Sequence, residues 1–146
     1  MQKLIYAGIF AGMLPFAAAA QSPTPFSPKK AVHKPITVQY GTASFYADKF
    51  EGRKTYTDEI FSQKKLSAAS NTLPMHTWVR ITNLRNHRCV VLRINDKMHP
   101  RNKRLIDLSR AAADKLGYRA RGLTRVRIDV LGKKRPSEVE MAVNKD

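Results

Sequence analysis

Several stretches of this sequence alternate apolar and polar side chains with the two-residue period of a half-buried strand. Trp78-Val79-Arg80-Ile81-Thr82 is one, and Arg88 to Ile94 is another, with Val90, Leu92 and Ile94 on one side. Asn86-His87 lies between them as a tight turn, so the two runs predict a β-hairpin. Arg125-Val126-Arg127-Ile128-Asp129-Val130 predicts a third strand, and Val38 to Tyr46 an early one with Gly41 as a bulge. Only one segment has a helical signature. Asp107-Leu108-Ser109 offers capping side chains, Arg110 to Leu116 is rich in Ala and Leu, and Gly117 is the expected stop. Short strands around one short helix predict a mainly β, small closed barrel.

The flanks read differently. Lys3 precedes an apolar run from Leu4 to Phe16, and Ala17 to Ala20 supply small residues before Gln21. That order predicts a signal peptide over 1–20, because the run is too short for a membrane span; the competing reading is an uncleaved anchor. Residues 21–35 carry Pro23, Pro25, Pro28 and Pro35, the composition of an extended leader. The folded core is expected over 36–131 and a polar tail, with at most a short helical turn, over 132–146. The expected location is therefore periplasmic or secreted, with no stable membrane insertion after signal cleavage.

Composition sharpens this in two respects. Cys89 is the single cysteine, so no internal disulfide can form, and none follows the cleavage position to accept a lipid. Within Val90-Val91-Leu92 it reads as a small buried hydrophobe. The formal charge of +16 calls for an anionic partner. Export argues against nucleic acid, as does the lack of interleaved aromatic and basic residues. Diffuse charge of this kind otherwise reads as a solvated face.

The chemistry-bearing residues lie in order over 41–113. They are Gly41-Thr42-Ala43-Ser44-Phe45-Tyr46, Gly52-Arg53-Lys54-Thr55 with Glu59 beyond it, Ala68-Ala69, Thr72-Leu73-Pro74, Val79 to Leu84, Arg93-Ile94-Asn95-Asp96 and Ile106 to Ala113. In these motifs the chain resembles the rare lipoprotein A family. That resemblance implies a six-stranded double-psi β-barrel acting on peptidoglycan glycan strands as a lytic transglycosylase, similar in fold to barwin-like endoglucanases and expansins. It places the family's catalytic Asp on Asp96 and its Glu on Glu59. The family His falls on Ser70, so this chain lacks it. Tyr46, Arg53, Ser70 and Asn95 are the implied substrate contacts. Other departures are Asp58 and His76, each where the family has Gly, and Lys97-Met98-His99 in place of Arg-Gly-Pro. No stretch past Leu131 is long enough for the glycan-binding repeat that many relatives carry.

Cleavage of a β-1,4 glycosidic bond requires an acid to protonate the leaving oxygen. A lytic transglycosylase uses no water, since the C6 hydroxyl of muramic acid closes onto C1. One carboxyl can therefore serve first as acid and then as base. An acid at the end of an apolar strand suits this role, because partial burial favours the protonated form. Asp96 is assigned it, with Glu59 orienting the sugar or stabilising positive charge at the anomeric carbon. By itself an Asn-Asp pair at a strand end is more often turn chemistry. Asp107 reads as a helix cap. His76 and His99 could replace the missing imidazole or be merely exposed, and Trp78 could be a sugar platform, though its alternating strand favours the core. No His, Cys and carboxylate cluster has metal-ligand spacing, so no cofactor or metal is expected. The rival to an enzyme is a non-catalytic wall-binding or expansin-like loosening module, favoured by Ser70; a weaker third reading is an interaction protein that keeps the barrel and no longer handles glycans.

Overall fold

The computed structural model describes residues 37–142 together with Gly12; the expected signal segment and leader lie outside the described residues. The chain divides into two units, Met1–Val32 and His33–Asp146, and everything below concerns the second.

Six strands close into a barrel: β1 (Val38–Phe45), β2 (Ala68–Ala69), β3 (Trp78–Asn83), β4 (Cys89–Asp96), β5 (Ile106–Leu108) and β6 (Thr124–Gly132). Around the barrel they run β1-β5-β2-β4-β3-β6. β1 lies parallel to β5 and β2 parallel to β4, and every other contact is antiparallel. This is the double-psi barrel: mainly β, with one principal helix, α1 (Arg110–Leu116), outside the ring.

The alternating runs are the long walls. Val79 and Ile81 of β3, Val90, Leu92 and Ile94 of β4, and Val126 and Ile128 of β6 are all buried in one core with Ile106 and Leu108. Each such side chain stabilises the fold by about 1.5–3 kcal/mol relative to exposure. β2 and β5 are too short to show any period, yet they supply both parallel contacts.

α1 starts where Ser109 Oγ accepts the amide of Ala112 and stops at Gly117, whose φ of 71° only glycine holds without strain. Asp107 is not the cap. Its carboxylate instead accepts Ser44 Oγ at 2.7 Å and Arg104 Nε at 2.8 Å. Gly41 forms no bulge, since β1 pairs with β6 in unbroken register from Val38 to Ala43. Its small size is needed because a Cβ there would lie 2.6 Å from Leu105 Cβ. Asn86-His87 falls in a longer connection than a two-residue turn, and His87 takes the left-handed conformation at φ 60°. Cys89, at the start of β4, is half-buried and not enclosed by the core. The polar tail includes a short helical turn, α2 (Glu138–Met141). Ser137 caps it, accepting from Glu140 N while Glu140 Oε2 accepts from Ser137 N.

Candidate active site

β4 ends on Asn95 and Asp96, and two separate hydrogen-bond systems assemble there. Consecutive residues of a strand point to opposite faces, and these two do. Asp96, half-buried, accepts Tyr46 Oη on Oδ2 at 2.8 Å, and the amides of Tyr56 and Lys97 on Oδ1 at 2.8 and 2.9 Å. Tyr46 is itself packed against Phe61, Ala69 and Met98. Burial pushes its hydroxyl far above the ordinary tyrosine value, and the neighbouring Asp96 charge adds to this. The hydroxyl therefore stays protonated and acts as a fixed donor to Asp96.

Asn95 serves the opposite side. It is buried, accepts Ser67 Oγ at 2.7 Å and donates to Glu59 Oε2 at 3.2 Å. Glu59 Oε1 accepts Thr57 Oγ1 at 3.1 Å and the Arg93 guanidinium at 2.5 Å. Partial burial opposes ionisation of Glu59, but the bonds from Asn95 and Thr57 and the Arg93 charge outweigh it, holding the carboxyl below its ordinary value. Arg93 also reaches His76 Nδ1 at 3.2 Å, and since a guanidinium only donates, Nδ1 accepts. The two carboxyls are thus bridged by the strand end and the 55–59 loop. No hydrogen bond joins them among the described residues.

The remaining assigned contacts fall as follows. Ser70 is fully buried; its hydroxyl donates to Leu105 O at 3.0 Å and accepts the amides of Thr72 and Leu73. From that position the hydroxyl is directed at the backbone of Leu105 and of the turn over 70–73. Asn95 is a positioning group for Glu59, given its burial. Arg53 is exposed, with its guanidinium 5.7 Å from the Phe50 ring centroid. Trp78 is not in the core: it is half-buried on the outer face, its neighbour Val79 pointing inward.

Sequence reasoning missed two participants. Arg93 was quoted only as part of a motif, although a charged residue on the outward side of an otherwise buried strand was a usable signal. Asp107 was read as a cap. The strand register places Asp107, Ala69 and Asp96 side by side on β5, β2 and β4, so both acids share one face of the barrel with small Ala69 between them. Arg104 neutralises Asp107. Hollows of about 490 and 660 Å³ flank Arg110 beside α1 and contain neither Asp96 nor Glu59. Among the described residues, no group of His, Cys, Asp and Glu is placed to hold a metal ion.

The architecture has solved counterparts. The Streptomyces papain inhibitor is similar with a TM-score of 0.53 at 22% identity, over 66% of this chain and 96% of that one. The Clavibacter michiganensis expansin is similar with a TM-score of 0.55 at 15% identity, over 69% of this chain and 52% of that one. These define the class: a double-psi β-barrel. Residues 38–128 match the family described as lytic transglycolase, and the chain belongs to that family, whose members include rare lipoprotein A. The "Endolytic peptidoglycan transglycosylase RlpA" of Haemophilus influenzae is 46% identical over 94 residues, covering 64% of this chain and 33% of that protein. Its namesake in Neisseria meningitidis serogroup A is 39% identical over 123 residues, covering 83% and 49%. The chain spans about a third to a half of the length of these curated relatives.

Proposed function

We propose that this protein is a peptidoglycan-acting endolytic lytic transglycosylase, cutting the bond between N-acetylmuramic acid and N-acetylglucosamine with formation of an anhydro sugar. The observation that carries this reading is the Asp96 carboxyl, held in orientation by three donors at the end of β4 in a barrel whose relatives bear that activity in their names. Asp96 gives its proton to the departing glucosamine oxygen as the C1–O bond breaks. The C6 hydroxyl of the muramic acid closes onto C1, and its proton returns to Asp96, so no water is consumed. Tyr46 fixes the orientation of the acid throughout. Glu59, ionised and shared with Arg93, orients sugar hydroxyls of the strand on the other side of the β4 end. The signal segment and the basic charge fit work outside the cytoplasm, in the periplasm or beyond, on the carboxylate-bearing wall polymer.

A second reading, a wall-binding barrel without catalysis, is favoured by Ser70, whose buried hydroxyl cannot carry a proton as an imidazole can. Incubation of the protein with sacculi, followed by mass spectrometry, decides between them. Anhydro-muropeptides should appear, and Asp96→Asn should reduce them by about a hundredfold or more. Sacculi that bind the protein yet release nothing would establish the second reading.

A further inference from the structure

On the Glu59 side of β4 lies a trough that extends beyond the Glu59, Arg93 and Asn95 bonds already described. Its inner part, about 220 Å³, is walled by Glu59, Leu66, Trp78, Arg93, Asn95 and Met141. A further 400 Å³ shares Glu59, Leu66 and Asn95 and extends to Ile60 and Lys65. Ligand pockets commonly enclose about 300–1,000 Å³, so the trough has the capacity for a small organic group. Trp78 sits directly opposite Arg93 across the β3–β4 ladder, and α2 brings Met141 against the same space.

The lining has two chemistries. Trp78, Leu66, Met141 and the 59%-exposed Ile60 are apolar, whereas Glu59, Arg93 and Lys65 supply acceptors, donors and positive charge. A pyranose presents the same division, with an apolar C–H face and a rim of hydroxyl and acetamido groups. An indole face takes the former, and a carboxylate, a guanidinium and an ammonium take the latter. The two cationic groups also suit the carboxylates that muramic acid and its peptides carry.

We infer that the Trp78–Glu59 trough is a saccharide-binding subsite for the glycan strand, on the far side of the β4 end from Asp96. This rests on the reading that the protein handles peptidoglycan. A strand crossing the end of β4 places one sugar over Trp78 and the scissile bond at Asp96, so the subsite sets which bond is cut. Trp78 then acts in binding and positioning, not in proton transfer.

Trp78 is the only tryptophan, so its fluorescence reports on this subsite alone. Titration of the full chain with peptide-free glycan prepared from sacculi should give a saturable change in emission. Trp78→Ala should raise KM for sacculi about tenfold with kcat retained, the loss expected for one stacking contact, and Trp78→Tyr should recover most of it. The wild-type titration does not depend on whether the variants fold. Unchanged emission at glycan concentrations where anhydro products form, or a Trp78→Ala variant with wild-type KM, would overturn the subsite while leaving the proposed activity intact. Saturable emission changes without any product would uphold the subsite and refute the activity.

Discussion

Asp58 and His76 both have φ of 62°, in the left-handed region that costs most side chains about 1–2 kcal/mol and glycine nothing. Both stand where the family motif carries glycine, the residue that holds this conformation without strain. Asp58→Gly should therefore stabilise the protein by about 0.5–1 kcal/mol in denaturant titration, since the Lys54–Asp58 pair it removes is 3.9 Å long, exposed and nearly worthless. Glu59 gives a pH prediction. Its carboxyl ionises more readily in the folded chain than in the unfolded one, so its contribution is complete above its ordinary value of 4.5 and is lost as pH falls below it. Thermal melts should show a shallower acid limb for Glu59→Gln than for the wild type. An identical acid limb would mean that the Arg93 and Asn95 bonds do not bias the ionisation of Glu59.

Among elements, β3, β4 and β6 are legible because each repeats a period often enough to be counted, and α1 because Ser109 and Gly117 mark its ends. β2 and β5 are not, because two or three residues display no period; the six-stranded ring comes from the family resemblance. The site is legible to the same degree. Asp96 and Glu59 follow from motif positions, while the burial of Ser70 and Asn95 does not, because a motif does not reveal whether a polar side chain is enclosed. Trp78 was placed in the core because alternation gives two faces without saying which one is inside; Val79 and Ile81 decide that. Gly41 illustrates the same gap, since its partner Leu105 is remote in sequence and its role is close approach, not bulging. Gly41→Ala should cost about 1–3 kcal/mol by overpacking, read as a lowered denaturant midpoint with unchanged slope.

At the scale of the whole molecule, the formal charge of +16 acts over distance in a way that no single contact does. Screening lengths shrink from about 8 Å at physiological salt to about 3 Å at 1 M. Cosedimentation with sacculi should fall severalfold across that range, while the melting temperature stays nearly constant because the barrel is held by its apolar core. Binding indifferent to salt would assign recognition wholly to the groove.

The first and last strands of the ring are hydrogen-bonded neighbours, antiparallel, with Val38 opposite Asp129. Chain entry and chain exit are therefore adjacent on the finished barrel. A unit built in this way is a cassette: it can be spliced into a longer polypeptide, or joined end to end and reopened elsewhere, without rerouting any strand. That freedom is set by where β6 closes the ring beside β1.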